Sequence, residues 1–208
     1  MAANPGFPLV LDVKGWTVLV IGGDDEASDK TQRLLESGAR VTVISPTLNE
    51  TLRNLAASGK VIHRGRHFRE TDLEHTILIL NTIRGDRDFA RALLTKAKEK
   101  GVLVWSVDFP EASSVTMPAV VASGHARVAI STSGVAPALS GFMKEDLERI
   151  LDVEFAAFVE WLGELREQAK ANEPDAEKRR ALLREALDGF RLLGKVQYPK
   201  VWMERKKT

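Results

Sequence analysis

The stretch Thr17-Val-Leu-Val-Ile-Gly-Gly-Asp-Asp-Glu-Ala27 decides how the chain is read. An apolar, β-prone run meets two glycines, and a helical stretch over 30–37 follows and closes at Gly38. A run with no polar alternation suits a strand buried on both faces. The same unit repeats downstream. A strand over 41–44 stops at Ser45-Pro46, and a helix over 48–57 is followed by Gly59. A short strand begins at Val61-Ile62, and a fully apolar one covers 76–80. A helix over 86–100 ends at Gly101, and a last strand covers 102–107. Apolar runs separated by helices of this length predict an α/β fold with a parallel sheet covered on both faces. Such a sheet places its ligand crevice at the carboxyl ends of the strands. The turns at 22–27, 45–47, 81–85 and 108–111 are therefore where binding residues are expected.

The second half reads differently. One more strand over 128–131 leads into Thr132-Ser-Gly-Val-Ala-Pro137. From residue 138 the pattern is helical, with Leu147, Ile150, Leu151, Phe155, Phe158, Leu162 and Leu165 at three- and four-residue steps. Glu173-Pro174-Asp175 ends that helix and starts another over 176–190, and the tail from residue 198 is expected to fray.

Composition narrows the function classes. The 208 residues include 30 Lys and Arg against 29 Asp and Glu, a net charge of +1, so neither nucleic acid nor an acidic membrane surface is an expected partner. Hydrophobic residues make up 44% and charged ones 28%, which is ordinary for a globular protein of one or two domains. No run approaches the roughly 18 apolar residues of a membrane span. Met1-Ala-Ala-Asn-Pro5 lacks the basic start of a secretory signal, and a cytoplasmic location is the expectation. The absence of cysteine excludes disulfides, thiolate-ligated metals and thiol catalysis.

Gly22-Gly23-Asp24-Asp25-Glu26-Ala27 lies between strand and helix, the context of a dinucleotide-binding turn. Gly22 and Ala27 fill the first and third places of G-x-G-x-x-G/A, but Asp24 fills the second, where a bare backbone normally meets the pyrophosphate. Asp24, Asp25, Glu26 and Asp29 crowd acid around a helix N-terminus that would otherwise attract an anion. Two readings stay open on the turn alone: a degenerate nucleotide site, or a capped helix start that binds nothing. Ser45-Pro46 closes the second strand where an NAD enzyme often carries an acid for the ribose, leaving backbone groups or Thr47 for that role.

Several segments in order carry a family resemblance. They are Phe7-Pro-Leu-Val-Leu11, Val18-Leu-Val-Ile-Gly-Gly23, Val41-Thr-Val-Ile-Ser-Pro46, Val107-Asp-Phe-Pro110, Met117-Pro118, Ala129-Ile-Ser-Thr-Ser-Gly134, Ala136-Pro-Ala-Leu139 and Leu162-Gly-Glu-Leu-Arg166. Together they resemble the precorrin-2 dehydrogenase family, also found as the N-terminal module of siroheme synthases. The resemblance implies a Rossmann-like domain over 1–113, a dimerisation segment over 114–146 and a helical C-terminal domain over 147–208, assembled as a homodimer. It implies NAD-dependent oxidation of precorrin-2 to sirohydrochlorin, followed in some members by insertion of Fe2+ or Co2+ as co-substrate.

The resemblance also places residues. Asp108 matches the family's catalytic aspartate and would act as general base, helped if burial raises its pKa. Gly22, Gly23, Asp25, Glu26, Pro46, Thr47 and Thr82 are the expected cofactor-binding positions. Thr132 matches a pocket-facing hydroxyl, with Ser131 and Ser133 beside it and Arg127 and Lys144 as cations for the substrate carboxylates. Several positions depart from the family. Acids stand at 24, 26 and 29, Ile83-Arg84 replaces an acidic pair, Ser133 replaces a glycine, and Ala136 replaces a serine. The changes at 24, 26, 29, 83 and 84 cluster on the nucleotide side while Asp108 is kept, and two alternatives stand beside the dehydrogenase. One is an NAD-independent chelatase or tetrapyrrole-binding member. The other is a non-enzymatic dimer that meets another pathway enzyme. His63 and His67 flank Arg64-Gly-Arg66 in a strand-like stretch, so they read as surface, and no protein metal site is expected.

Overall fold

A computed structural model describes residues 6–199, so the expected fraying of the tail falls mostly outside the described residues. The chain divides between Pro118 and Ala119 into two compact units. In the first, β1 (Thr17–Ile21), β2 (Arg40–Ile44), β3 (Ile62–Arg64), β4 (Leu78–Asn81) and β5 (Leu103–Ser106) form one sheet in the order β3-β2-β1-β4-β5. Every pairing is parallel. Crossovers run through α1 (Asp25–Glu36), α2 (Glu50–Ala57) and α3 (Arg87–Glu99), with a 3-10 turn at Glu70–Leu73 between β3 and β4.

The unbroken apolar strands of the sequence become a two-faced core. Val18, Val20, Val41, Val43 and Leu80 pack under Ala27 and Leu34 of α1 and Leu52 of α2. Leu19, Ile21, Ile44, Ile79 and Val104 face the other way, against Leu93 and Ala97 of α3. Burying each such side chain contributes about 1.5–3 kcal/mol. The strand order reverses at β1, whose neighbours β2 and β4 lead away to opposite sides, so the crevice opens above the end of β1.

Boundaries moved where side chains compete for backbone. Helix α1 begins five residues before the periodic stretch, because the Asp24 carboxylate accepts from Ala27 N–H at 3.0 Å and caps it. Asn49 caps α2 and Asp86 caps α3 in the same way. Strand β4 starts at Leu78 rather than Thr76, whose hydroxyl donates to the Thr17 carbonyl at 3.0 Å.

The second unit holds an antiparallel hairpin, β6 (Ala119–Ser123) and β7 (Ala126–Ile130), and three helices. Of this hairpin the sequence predicts only β7; β6 is a five-residue run of small side chains directly after Pro118, too short and too little buried to stand out. The single long helix expected from residue 138 is two, α4 (Pro137–Ile150) and α5 (Val153–Asn172). Asp152 breaks it by leaving the helix and accepting from Phe155 N–H at 3.1 Å, while the apolar spacing carries on across the break. Helix α6 (Ala176–Glu185) stops short of the expected residue 190.

Asp72 anchors the connection between β3 and β4. Its side chain is fully buried, and it accepts from Arg66 at 2.7 and 2.8 Å, from Arg69 N–H at 2.8 Å and from Arg64. The Arg66 hydrogen bonds, aided by Arg69 N–H and Arg64, outweigh burial and hold its pKa at about 2. The unfolded chain therefore binds more protons between about pH 2 and 4, so this stabilisation is complete above that window and lost as pH falls through it. Asp72→Asn is expected to lower stability by about 2 kcal/mol near neutral pH, with the gap to wild type closing towards pH 2. Urea denaturation across that pH range measures it.

Candidate functional site

Three turns meet above β1, and their backbones come unusually close. Gly22 takes a φ of 128°, a region L side chains rarely enter, and its N–H donates to the Ile44 carbonyl at 3.0 Å. A Cβ there would collide with the Thr82 hydroxyl, and one on Gly23 would collide with the Thr47 carbonyl and lie 2.8 Å from Ser45 Oγ. Asn49 N–H donates to the Gly23 carbonyl at 2.7 Å. Thr82 is buried and donates to the Ile21 carbonyl through its N–H at 2.9 Å and its hydroxyl at 3.1 Å. The expected cofactor positions Gly22, Gly23, Pro46, Thr47 and Thr82 are thus gathered in one place. Gly22, Gly23 and Thr82 also have a purely architectural role there.

The acids at the α1 start are each engaged. Asp24 caps the helix and lies 3.4 Å from the Thr82 hydroxyl. Asp25 accepts from the Asn49 side chain at 2.8 Å. Glu26 pairs with Lys30 at 2.8 Å and with Arg84 at 3.4 Å. Asp29 pairs with Lys30 at 3.0 Å and Arg33 at 3.1 Å. Burial pushes the Asp29 pKa up, but Lys30 and then Arg33 outweigh it and the net shift is downward. Lys30 also lies 5.3 Å from the centre of the Trp105 ring, so Trp105 supports this side chain besides packing against the core.

Asp108 follows β5 with a φ of 60°, the left-handed region that a non-glycine residue enters only under constraint. Its carboxylate accepts from Arg84 at 2.6 Å, and its side chain is 56% exposed. The burial that the sequence reading invoked for a general base is therefore not present in this chain. Arg84 links Asp108 to Glu26, so turns after β1, β4 and β5 share one cation. The sequence had shown Arg84 only as a departure; the signal that could have found it is the excess acid at 24–29, which calls for a facing cation.

In the second unit, Thr132 Oγ1 accepts from Ala136 N–H at 3.2 Å and from the Ser140 hydroxyl at 3.4 Å. Ser131 Oγ accepts from Ser133 N–H at 3.1 Å, and Ser133 takes a φ of 52°. The expected hydroxyl run is a folded turn at the start of α4. Arg127 bonds the Gly124 and Ala126 carbonyls at 2.6 and 2.8 Å, and Lys144 pairs with Glu148 at 2.6 Å. Both cations are held by their own unit. His63 and His67 do not converge; His63 Nε2 lies 2.9 Å from the Ser45 carbonyl. Among the described residues no cluster of three or more His, Asp or Glu could hold a metal.

These residues fit the diphosphate and adenosine part of a dinucleotide. The crevice lies at the switch point, the glycines bring backbone to its floor, and an apolar-walled groove of 490 Å³ lies beside the end of β2. The misfit is Asp24, whose carboxylate occupies the anion position of the helix start. Giving up that cap costs about 1 kcal/mol, roughly a fivefold loss of affinity, which weakens a diphosphate but does not exclude it. Gly23→Ala, which drives a Cβ into the Thr47 carbonyl, is expected to destabilise the protein by about 2 kcal/mol or more. Its thermal midpoint, compared with that of a Gly194→Ala control, where nothing lies near and φ is ordinary, is the check.

Residues 9–119 match the family described as "Putative NAD(P)-binding". The chain is 33% identical to "Siroheme synthase" of Gluconacetobacter diazotrophicus over 90% of its own length and 41% of the relative's. It is 33% identical to "Siroheme synthase 1" of Aeromonas salmonicida over 89% of its length and 39% of the relative's. The chain thus spans about two fifths of the curated relatives it matches. Its fold superposes on the solved structure of "SirC, precorrin-2 dehydrogenase" with a TM-score of 0.75 and 25% identity, covering 98% of this chain and all of that one. With its parallel sheet, its glycine turn at the switch point and Asp108 at the end of β5, the chain belongs to the NAD(P)-binding family of the precorrin-2 dehydrogenases.

Proposed function

We propose that this chain oxidises precorrin-2 to sirohydrochlorin in siroheme biosynthesis. The observation that carries the reading is Asp108: a carboxylate at the carboxyl end of β5, beside the crevice, held at 2.6 Å by Arg84. The oxidation removes a hydride and a proton from the macrocycle. The dinucleotide, when bound, supplies the hydride acceptor. Asp108 takes the proton, and Arg84 keeps its oxygen oriented for that purpose. Gly22 and Gly23 bring the floor of the crevice close, and Thr82 fixes it to β1.

The hydroxyls of Ser131, Thr132 and Ser133 serve the substrate carboxylates in this reading, with Arg127 recruited from its turn. A homodimer goes with it, and the apolar residues Val135, Leu139, Phe142 and Met143 at the α4 start, exposed by 73, 51, 67 and 43%, are the surface it would cover. The three-part division at residues 113 and 146 belongs to the same proposal, as does a cytoplasmic site of action, where the dinucleotide pool lies. Fe2+ or Co2+ would be a co-substrate bound by the macrocycle nitrogens.

A second reading rests on Asp24. With its carboxylate in the helix N-terminal position, the chain would bind tetrapyrrole and insert metal without any dinucleotide. Asp24→Gly, which vacates that position, is expected to raise dinucleotide affinity about fivefold by calorimetry. No gain would leave the acidic turn irrelevant to the cofactor. For the chemistry, Asp108→Asn is expected to lower sirohydrochlorin formation by about 10²- to 10⁴-fold while dinucleotide binding persists. Unchanged turnover in that variant, followed by absorbance of the product, overturns the proposed role.

A further inference from the structure

Charge at the crevice rim bears on how the substrate is held, an inference that rests on the dehydrogenase reading above. We infer that Arg84 and Arg87 form a carboxylate-binding rim beside Asp108, and that this rim takes peripheral carboxylates of the macrocycle. The resemblance offers an acid where Arg84 stands, so the rim is a feature of this chain's own sequence.

A polyanionic substrate meets an acidic crevice. The turns at 22–27, 45–47, 81–85 and 108–111 hold Asp24, Asp25, Glu26, Asp108 and Glu111, and their one cation is Arg84. Arg87 follows as the first residue of α3. Three of these acids are satisfied without either arginine: Asp24 caps α1, Asp25 accepts from Asn49, and Glu26 has Lys30 at 2.8 Å. Lys30 is not available to a ligand, because its side chain is only 12% exposed and is shared between Glu26 and Asp29. One arginine then faces each remaining acid, Arg84 on Asp108 and Arg87 on Glu111.

Both arginines hold donors in reserve. A guanidinium carries several N–H donors in a planar fork that matches a carboxylate. Arg84 commits Nη1 to Asp108 at 2.6 Å, but its Nη2 reaches Glu26 only at 3.4 Å, longer than a strong charge-assisted bond. A substrate carboxylate can replace Glu26 on Nη2 while Nη1 stays on Asp108, and Glu26 keeps Lys30. Arg87 reaches Glu111 through Nε at 3.4 Å, and its guanidinium lies 5.6 Å from the centre of the Phe109 ring, which supports it. Both side chains are more than half exposed, so their present ion pairs stabilise little and exchange readily for a ligand. Asp108 and Phe109 are consecutive, so both guanidiniums are tied to the turn that carries the base. Carboxylates seated on them bring the macrocycle against Asp108.

Sirohydrochlorin, titrated into the full chain and followed by its own absorbance, is the probe. Arg87→Ala should weaken its binding about tenfold, and the Arg84→Ala/Arg87→Ala double variant about 100-fold. Added salt should weaken binding to the wild type more than to either variant, and Arg87→Lys should recover part of the loss. Affinity for NAD+ should stay within about twofold, and in turnover Arg87→Ala should raise KM for precorrin-2 about tenfold with a much smaller effect on kcat. Arg87 is exposed at a helix start, so its single variant carries the test if the double variant fails to fold. Wild-type affinity in the variants overturns the rim, as does a loss that lysine does not recover and that leaves the salt dependence unchanged; oxidation of precorrin-2 by the wild type then keeps the dehydrogenase reading. Arginine-dependent binding with no oxidation of precorrin-2 upholds the rim and removes that reading. No binding of sirohydrochlorin to the wild type overturns both.

Discussion

Two backbone hydrogen bonds hold the crevice in place: Gly22 N–H to the Ile44 carbonyl at 3.0 Å, and Thr82 N–H to the Ile21 carbonyl at 2.9 Å. They continue the parallel ladder past the ends of β1, β2 and β4, so the turns themselves become part of the sheet. Everything at the site inherits its position from them. The glycines are required because the loops approach closely enough that a single Cβ would part them. A dinucleotide fingerprint and a structural necessity coincide here, and glycine identity alone does not separate the two.

The acidic residues at 24–29 would be unfavourable around a bare helix start only if their charges repelled one another unopposed. A helix N-terminus favours carboxylates. Lys30 lies between Glu26 and Asp29, Arg33 adds to Asp29, and Arg84 reaches across from the next turn to join Glu26 to Asp108. These pairs are partly exposed, so each one stabilises little. Their effect is positional: they fix which side chains stand around the crevice, and they bind Asp108 to the rest of it.

The parallel sheet was legible because its strands are buried on both faces. That demands uninterrupted apolar runs, and 18–21 and 77–80 have them. The hairpin partner β6 was not legible, since its residues are small and only Val121 and Ser123 are buried. The α4–α5 break was hidden because Asp152 interrupts the backbone without interrupting the spacing of apolar residues. At the site, the gathering of Gly22, Gly23, Thr47 and Thr82 followed from topology. The partners that Asn49, Thr82 and Arg84 supply to Asp24, Asp25, Glu26 and Asp108 did not, since they come from residues 24 to 58 positions away.

By itself, then, the sequence determined the order of strands and helices in the first unit, the place of the crevice and the types of residue at its rim. These depend on local periodicity and on the geometry of parallel crossovers, both written in neighbouring residues. Only the tertiary structure decided that Asp24 caps α1, that Arg84 holds Asp108 at 2.6 Å, and that Arg64 and Arg66 are both taken by Asp72. Charge pairing is set by distance in space, and with 30 basic and 29 acidic residues the chain offers far more pairings than its fold can bring within reach.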